Sequence, residues 1–256
     1  MYREKFDLSG SRAVITGGGR GIGLACAEAL AEHGADIVLC DIDEGVLESG
    51  RAALSAKGFA AEAHRLDITK SADVEALATA LNAKAPVDIL IANAGIAMPD
   101  KPAEVTPDED WLRMLDVNLN GMFWCCRAFG RAMLDRGKGA IVTIGSMSGV
   151  IANKPQRQTH YNTSKAAVHH MTRSLGAEWA PRGVRINSIA PTYIETAMTH
   201  DSAQDQAMFS TWMEFTPMGR MGKPEEIAAI AVFLASPAAS VMTGAVVMAD
   251  AGYTAW

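Results

Sequence analysis

Ala13-Val14-Ile15-Thr16-Gly17-Gly18-Gly19-Arg20-Gly21-Ile22-Gly23 is the stretch on which the fold turns. Ala13-Val14-Ile15 is a short apolar run rich in β-branching, and beyond Gly23 the residues Leu24, Ala27, Leu30 and Ala31 keep helical spacing. The segment therefore reads as strand, glycine turn, helix. Glycines let the backbone turn tightly and approach a ligand closely, and the helix behind them presents unsatisfied N–H groups and the positive end of its dipole. The physical expectation is a cradle for phosphate. Glycines also serve ordinary loops, so the neighbouring segments have to decide.

A second strand, Ile37-Val38-Leu39-Cys40, ends in Asp41, eighteen residues past Gly23. A dinucleotide-binding unit places a carboxylate there for the ribose hydroxyls, where it accepts from a 2′-OH and repels a 2′-phosphate. NAD is thus expected over NADP. Arg20 points the other way, since a guanidinium pairs well with a 2′-phosphate. Asp41 is weighted above it because its charge stands where that phosphate would go.

The alternation continues with a helix at about 44–57, a strand at 60–66 ending in Asp67, and a helix at 71–84. A strand from Val87 to Ala92 then leads into Asn93-Ala94-Gly95. Alternating strands and helices predict one parallel, doubly wound Rossmann-type α/β domain over residues 1–256, with helices on both faces and ligands at the carboxyl ends of the strands. Gly17, Asp41, Asp67 and Asn93 all fall at that edge. Residues 108–136 read as two helices, the second beginning near Leu119, with Asn118 placed where an asparagine would cap it. The strand Ala140–Ile144 delivers Gly145-Ser146-Met147-Ser148-Gly149 to the same edge, and the strand Val184–Ile189 delivers Pro191 through Thr196. Residues 192–222 look long and irregular, as suits a mobile cover over a ligand. A helix from Pro224 to about Leu234 and a strand from Ala245 to Met248 follow. The aromatic tail ending in Tyr253 and Trp256 is expected to dock on its own body or on a neighbouring subunit.

Composition narrows the function classes. The chain of 256 residues is 49% hydrophobic and 20% charged, with a net charge of -6 and scattered basic residues. That balance argues for a globular domain acting on small molecules, and against a nucleic-acid or anionic-membrane surface. No basic-then-apolar leader and no spanning run are seen, so a cytoplasmic location is expected. Cys26, Cys40, Cys125 and Cys126 lack metal-ligand spacing, and His169-His170 project about 100° apart on a helix, so no metal is expected.

Tyr161 and Lys165 are four residues apart, on one face of a predicted helix whose apolar stripe is Val168, Met171, Leu175 and Trp179. An ammonium beside a phenol favours the phenolate, which makes the pair a candidate proton-transfer device whose meaning depends on the rest of the chain.

Taken in order and spacing, Thr16-Gly17-x-x-x-Gly21-x-Gly23, Asn93-Ala94-Gly95, Asn118, Ser146, Tyr161-x-x-x-Lys165 and Pro191 to Thr196 resemble the short-chain dehydrogenase/reductase family over essentially the whole chain. The run from Gly145 to Gly149, then Asn153-Lys154-Pro155-Gln156, and the later Thr216-Pro217-Met218-Gly219-Arg220 look closest to members that oxidise sugar alcohols. The resemblance implies that Tyr161 exchanges a proton with the substrate oxygen and Ser146 positions that oxygen. It further implies that Lys165 lowers the tyrosine pKa and holds the nicotinamide ribose, while Asn118 anchors a water. Gly17, Arg20, Gly21, Ile22, Gly23 and Asp41 would hold the phosphate and adenosine end of NAD, Asp67 and Ile68 the adenine, and Asn93, Ala94, Gly95 and Pro191 the rest of the cofactor. Ile194 and Thr196 would contact the nicotinamide carboxamide. Relatives usually form tetramers, so a homotetramer is expected. The chain departs from the family's commonest residues at Ala92, where an asparagine is frequent, and at Thr192, where a glycine is. Ser146 also lies two residues farther from Tyr161 than is commonest.

Between Ser146 and Tyr161 the loop supplies Ser148, Asn153, Gln156 and Gln158. Converging polar groups favour a polyol or the matching ketose, because a site built to bond hydroxyls discriminates against analogues that lack them. Two other readings stand beside this one. Arg20 and the Met-rich cover fit an NADPH-dependent reductase of 3-oxoacyl thioesters, and the fold alone would fit a dinucleotide-binding protein without turnover.

Overall fold

The computed structural model describes residues 1–98 and 100–256, apart from the side chains of Asp201 and Ser202. Among the described residues, seven strands form one sheet in the order β3-β2-β1-β4-β5-β6-β7, every pair parallel. The strands are β1 (Arg12–Thr16), β2 (Asp36–Asp41), β3 (Ala61–Arg65), β4 (Ile89–Ala92), β5 (Gly139–Ile144), β6 (Val184–Pro191) and β7 (Val246–Ala249). The first crossovers are α1 (Gly21–Glu32), α2 (Glu44–Ala56) and α3 (Ser71–Lys84). The later ones are α4 (Asp108–Leu115), α5 (Met122–Arg136), α6 (Thr159–Trp179), α7 (Ala197–Gln204), α8 (Gln206–Glu214) and α9 (Pro224–Ala235).

Successive strand residues face opposite sides of the sheet, and here both sides are covered, which is why the strands read as unbroken apolar runs. Ala13, Ile15, Ile37, Leu39 and Ile91 pack with Cys26, Leu30, Leu54, Ile227 and Ala231 on one face. Val14, Val38, Leu90 and Ile141 pack with Val74, Leu81, Phe129, Val168 and Trp179 on the other. Each such Leu, Ile or Phe contributes about 1.5–3 kcal/mol by leaving water. Between β1 and β4 the winding reverses, and the crevice at a reversal is where this architecture collects ligands.

Two expectations need correction. Residues 108–136 do not break into two capped helices: α4 runs through a π-helical turn, Asp116–Gly121, directly into α5. Asn118 lies inside that turn, so it caps nothing. The stretch 192–222 is not an irregular excursion either, since it carries α7 and α8. Asp205, between them, accepts from the backbone N–H of Ala207 (3.0 Å) and Met208 (3.1 Å) and so starts α8. The tail divides: Tyr253 docks on its own body, edge-on to Tyr193, whereas Trp256 stays 80% exposed.

Candidate active site

At the winding reversal, β1 passes into a turn with Gly17 at φ +60° and Gly21 at φ +55°, the left-handed region that a side chain opposes. Gly23 lets α1 lie directly on this turn, for a Cβ there would stand 2.1 Å from the Gly17 carbonyl oxygen. Arg20 precedes α1 without a side-chain cap, so the first-turn N–H groups lack a side-chain acceptor from it. Its exposed side chain has no ion-pair partner among the described residues. Asp41 ends β2 beside the turn, with Oδ2 accepting from the Gly19 N–H and Oδ1 from the Asp43 N–H, both at 3.3 Å. Asn93 Nδ2 donates to the carbonyls of Thr16 (3.0 Å) and Gly17 (2.9 Å), locking the end of β4 to the end of β1. The N–H groups of Asn93 and Ala94 meanwhile donate to Thr16 Oγ1. Asp67 spends Oδ1 on the N–H and hydroxyl of Thr69, and the Ile68 side chain lies where a Cβ on Gly121 would collide with it. The rim thus combines an uncapped helix N-terminus, a close-approach turn and a carboxylate at the next strand end. Those elements fit the pyrophosphate and ribose of a dinucleotide.

Farther along the rim opens a cavity of about 580 Å³. Ser146, Tyr161 and Lys165 line it, together with Ile22, Asn93, Gly95, Pro191, Ile194 and Thr196. Ser146 Oγ accepts from the Ser148 N–H at 3.1 Å. Lys165 Nζ donates to the Ile144 carbonyl at 2.9 Å and stands 5.6 Å from the Tyr161 ring centre. Burial brings the Lys165 ammonium down to about 8. Tyr161 lines the same cavity wall. Burial pushes the phenol up, and the opposing influence is a hydrogen bond with Ser146.

Asn118 is fully buried. Its Oδ1 accepts from the Ile96 N–H at 2.8 Å, and its Nδ2 donates to the Ile96 carbonyl at 2.9 Å and to Ser164 Oγ at 3.2 Å. It therefore clamps the chain leaving β4 against α6, one layer behind Lys165. A π-helical turn is a frequent marker of such functional positions.

The polar loop splits. Ser148, Gln156 and Gln158 line the cavity, while Asn153 stands outside its lining. Asn153 Nδ2 and Gln156 Nε2 both donate to Tyr193 Oη, at 3.2 and 2.9 Å, and Gln156 Oε1 accepts from Trp212 Nε1 at 3.1 Å. Gln158 Nε2 has Asn153 Oδ1 and Asn162 Oδ1 each at 3.0 Å. Lining residues that sequence reasoning missed are Met98 and Asp100 after β4, Tyr193 after β6, and Asp205, Met208 and Trp212 around α8. Tyr193 and Trp212 stack at 3.8 Å with their planes 8° apart. No local pattern announces that pair, because the two residues come from separate elements.

A doubly wound parallel sheet with a dinucleotide cradle at its reversal and Ser146, Tyr161 and Lys165 in one adjoining cavity defines a nicotinamide-dinucleotide oxidoreductase. The family described as Enoyl-(Acyl carrier protein) reductase matches residues 17–254. A Galactitol 2-dehydrogenase of Rhizobium johnstonii is 54% identical over 256 residues, covering 100% of this chain and 99% of its own. A Galactitol 2-dehydrogenase (L-tagatose-forming) of Cereibacter sphaeroides is 49% identical, covering 100% and 99%. The crystal structure of gox2181 superimposes with a TM-score of 0.98 at 47% identity over 100% of both chains. The chain belongs to the short-chain dehydrogenase/reductase family. Dehydrogenases of both dinucleotide types are among its relatives.

Proposed function

We propose that this protein is an NAD-dependent dehydrogenase that oxidises a secondary alcohol of a polyol to the ketose, reversibly. One observation carries the proposal: Ser146, Tyr161 and Lys165 share a cavity with Ser148, Gln156 and Gln158. The similarity to two galactitol dehydrogenases supports the same substrate class.

In this reading, Gly17, Gly21 and the start of α1 receive the pyrophosphate, Asp41 the adenosine ribose, and Asp67 and Ile68 the adenine. Asn93, Ala94, Gly95, Pro191, Ile194 and Thr196 line the nicotinamide end. When bound, the nicotinamide supplies the hydride acceptor. Ser146 Oγ orients the substrate oxygen, and Tyr161 Oη takes its proton as the carbonyl forms. Lys165 holds ribose hydroxyls and keeps a positive charge behind the phenolate. Asn118 fixes the layer through which that proton reaches solvent. Ser148 and Gln158 meet the neighbouring hydroxyls, with Gln156 braced behind them by Tyr193 and Trp212. Apolar Met98, Met147 and Met208 close the cavity and limit water at the reacting carbon.

Asp41 supports NAD, for its carboxylate beside Gly19 repels a 2′-phosphate. The exposed Trp111 and Leu112 on α4 support assembly as a homotetramer, and the buried free cysteines suit the cytoplasm. Formation of reduced nicotinamide, followed by absorbance across a panel of hexitols and pentitols with NAD and with NADP, tests the reading. Turnover of galactitol or another hexitol with NAD is expected. Turnover confined to 3-oxoacyl thioesters with NADPH overturns it, and so does tight NAD binding without turnover of any alcohol or ketone.

A further inference from the structure

The helix that carries Tyr161 and Lys165 places His169 one further turn along the same face. This histidine is 4% exposed, and the mechanism above does not use it. Its imidazole sits under the serine turn. The backbone N–H of Ser146 points to His169 Nε2 at 3.4 Å, a long bond that no other acceptor among the described residues shares. The turn is shaped around the ring: a Cβ on Gly145 would fall 2.2 Å from His169 Nε2 and 2.6 Å from Cδ2. On the other side, a Cβ on Gly149 would fall 2.8 Å from Cε1. Gly145 thus leaves room for a planar ring that ends in an acceptor, while Gly149 admits both that ring and the α6 backbone, a Cβ there falling 2.7 Å from the carbonyl carbon and oxygen of Lys165.

Nε2 accepts only in the neutral ring with its proton on Nδ1. Burial, with Lys165 and Arg173 nearby, holds the imidazole neutral by bringing it down to about 4. The serine turn presents no charged group to it, since Gly145, Ser146, Met147, Ser148 and Gly149 are all uncharged.

We propose that His169 is a positioning residue for Ser146: seated between Gly145 and Gly149, it holds the serine backbone against α6 and so sets the Ser146 hydroxyl relative to Tyr161. Tyr161, Lys165 and His169 then form a single ladder on α6, in which the first group moves the proton, the second holds ribose and the third registers the serine strand to the helix. The inference rests on Ser146 being the group that orients the substrate oxygen.

The test compares His169→Phe, which keeps a ring but removes the acceptor, with His169→Gln, whose Oε1 reaches the Nε2 position. His169→Phe is expected to lower kcat roughly tenfold to a hundredfold, the scale of a small misplacement at a reacting centre. The dissociation constant for NAD should change less than about twofold, well under the roughly tenfold that 1.4 kcal/mol represents. His169→Gln should recover most of kcat. Equal impairment of both variants, or wild-type kcat in His169→Phe, overturns the proposal. Should His169→Phe fail to fold, nitrogen NMR of the wild-type ring decides: an Nδ1–H neutral tautomer at pH 7 is required, and a proton on Nε2 refutes the role. Ser146→Ala separates this inference from the reading beneath it. Full activity in Ser146→Ala removes that reading, whereas a loss there beside an intact His169→Phe removes only the positioning role.

Discussion

At the carboxyl rim of the sheet, Asn93 and Asp41 are held by backbone groups of the adjoining strand and turn, through bonds to Thr16, Gly17 and Gly19. Across the cavity, Tyr193, Gln156 and Trp212 are held by one another, ring against ring and amide against indole. The rim inherits its geometry from a parallel ladder buried on both faces. The cover depends on a few side chains from the serine-to-tyrosine loop, the end of β6 and α8. Reaction chemistry therefore rests on the stiff part of the molecule, and substrate shape on the part that a single substitution can loosen.

The sharpest way to sharpen this division is Tyr161→Phe. Turnover should fall about 10²–10⁴-fold, the usual contribution of a positioned general acid or base, while NAD affinity stays within about twofold of wild type. A variant retaining most of its turnover would falsify the proton-transfer role. Trp212→Ala attacks the cover. Loss of a 2% exposed indole that stacks on Tyr193 should cost about 3–5 kcal/mol of stability, measured by denaturant unfolding. The polyol KM should rise with it, and the NAD dissociation constant should not. If both constants moved together, rim and cover would be one unit.

Asp41→Ala probes the far end of the rim. The preference for NAD over NADP should drop about tenfold, corresponding to roughly 1.4 kcal/mol, with kcat unchanged. An unaltered ratio of kcat/KM values would show that the ribose carboxylate lies elsewhere. A separate effect is in pH. Burial, with Lys165 and Arg173 nearby, brings His169 down to about 4 in the folded chain, against about 6.5 when unfolded. Between those values the unfolded state binds more protons, so stability rises with pH there and is lost as pH falls from about 6.5 toward 4. His169→Gln should flatten the unfolding midpoint over that window relative to wild type.

Legibility followed the same division. The strands ending in Asp41, Asn93 and Ser146, the glycine turn and the tyrosine helix were readable because each is a local pattern of period, turn residue and spacing. The helix from 71 to 84 matched α3 for the same reason. α7 and α8 were not readable, since Ala197–Gln204 is mostly polar and lacks an apolar stripe. The helical state of α8 follows from the Asp205 cap and from packing of Trp212 on Tyr193. Asn118 was placed at a helix start because asparagine favours caps, whereas a π-helical turn leaves no such local signature. Gln156 and Asn153 were grouped with Ser148 as equals. Only their partners separate a cavity wall from the brace behind it.

The glycine turn from Thr16 to Gly23, the carboxylate at Asp41 and the Tyr161–Lys165 spacing were determined by the sequence alone, since each works through backbone freedom or helical geometry a few residues long. Tertiary structure decided what those groups can do together. Folding brought Ser146 to Tyr161, bound Lys165 to the Ile144 carbonyl, and set His169 into the space left by Gly145 and Gly149. Such contacts depend on which strand lies beside which and on the volume two distant segments leave each other, and no local pattern encodes either.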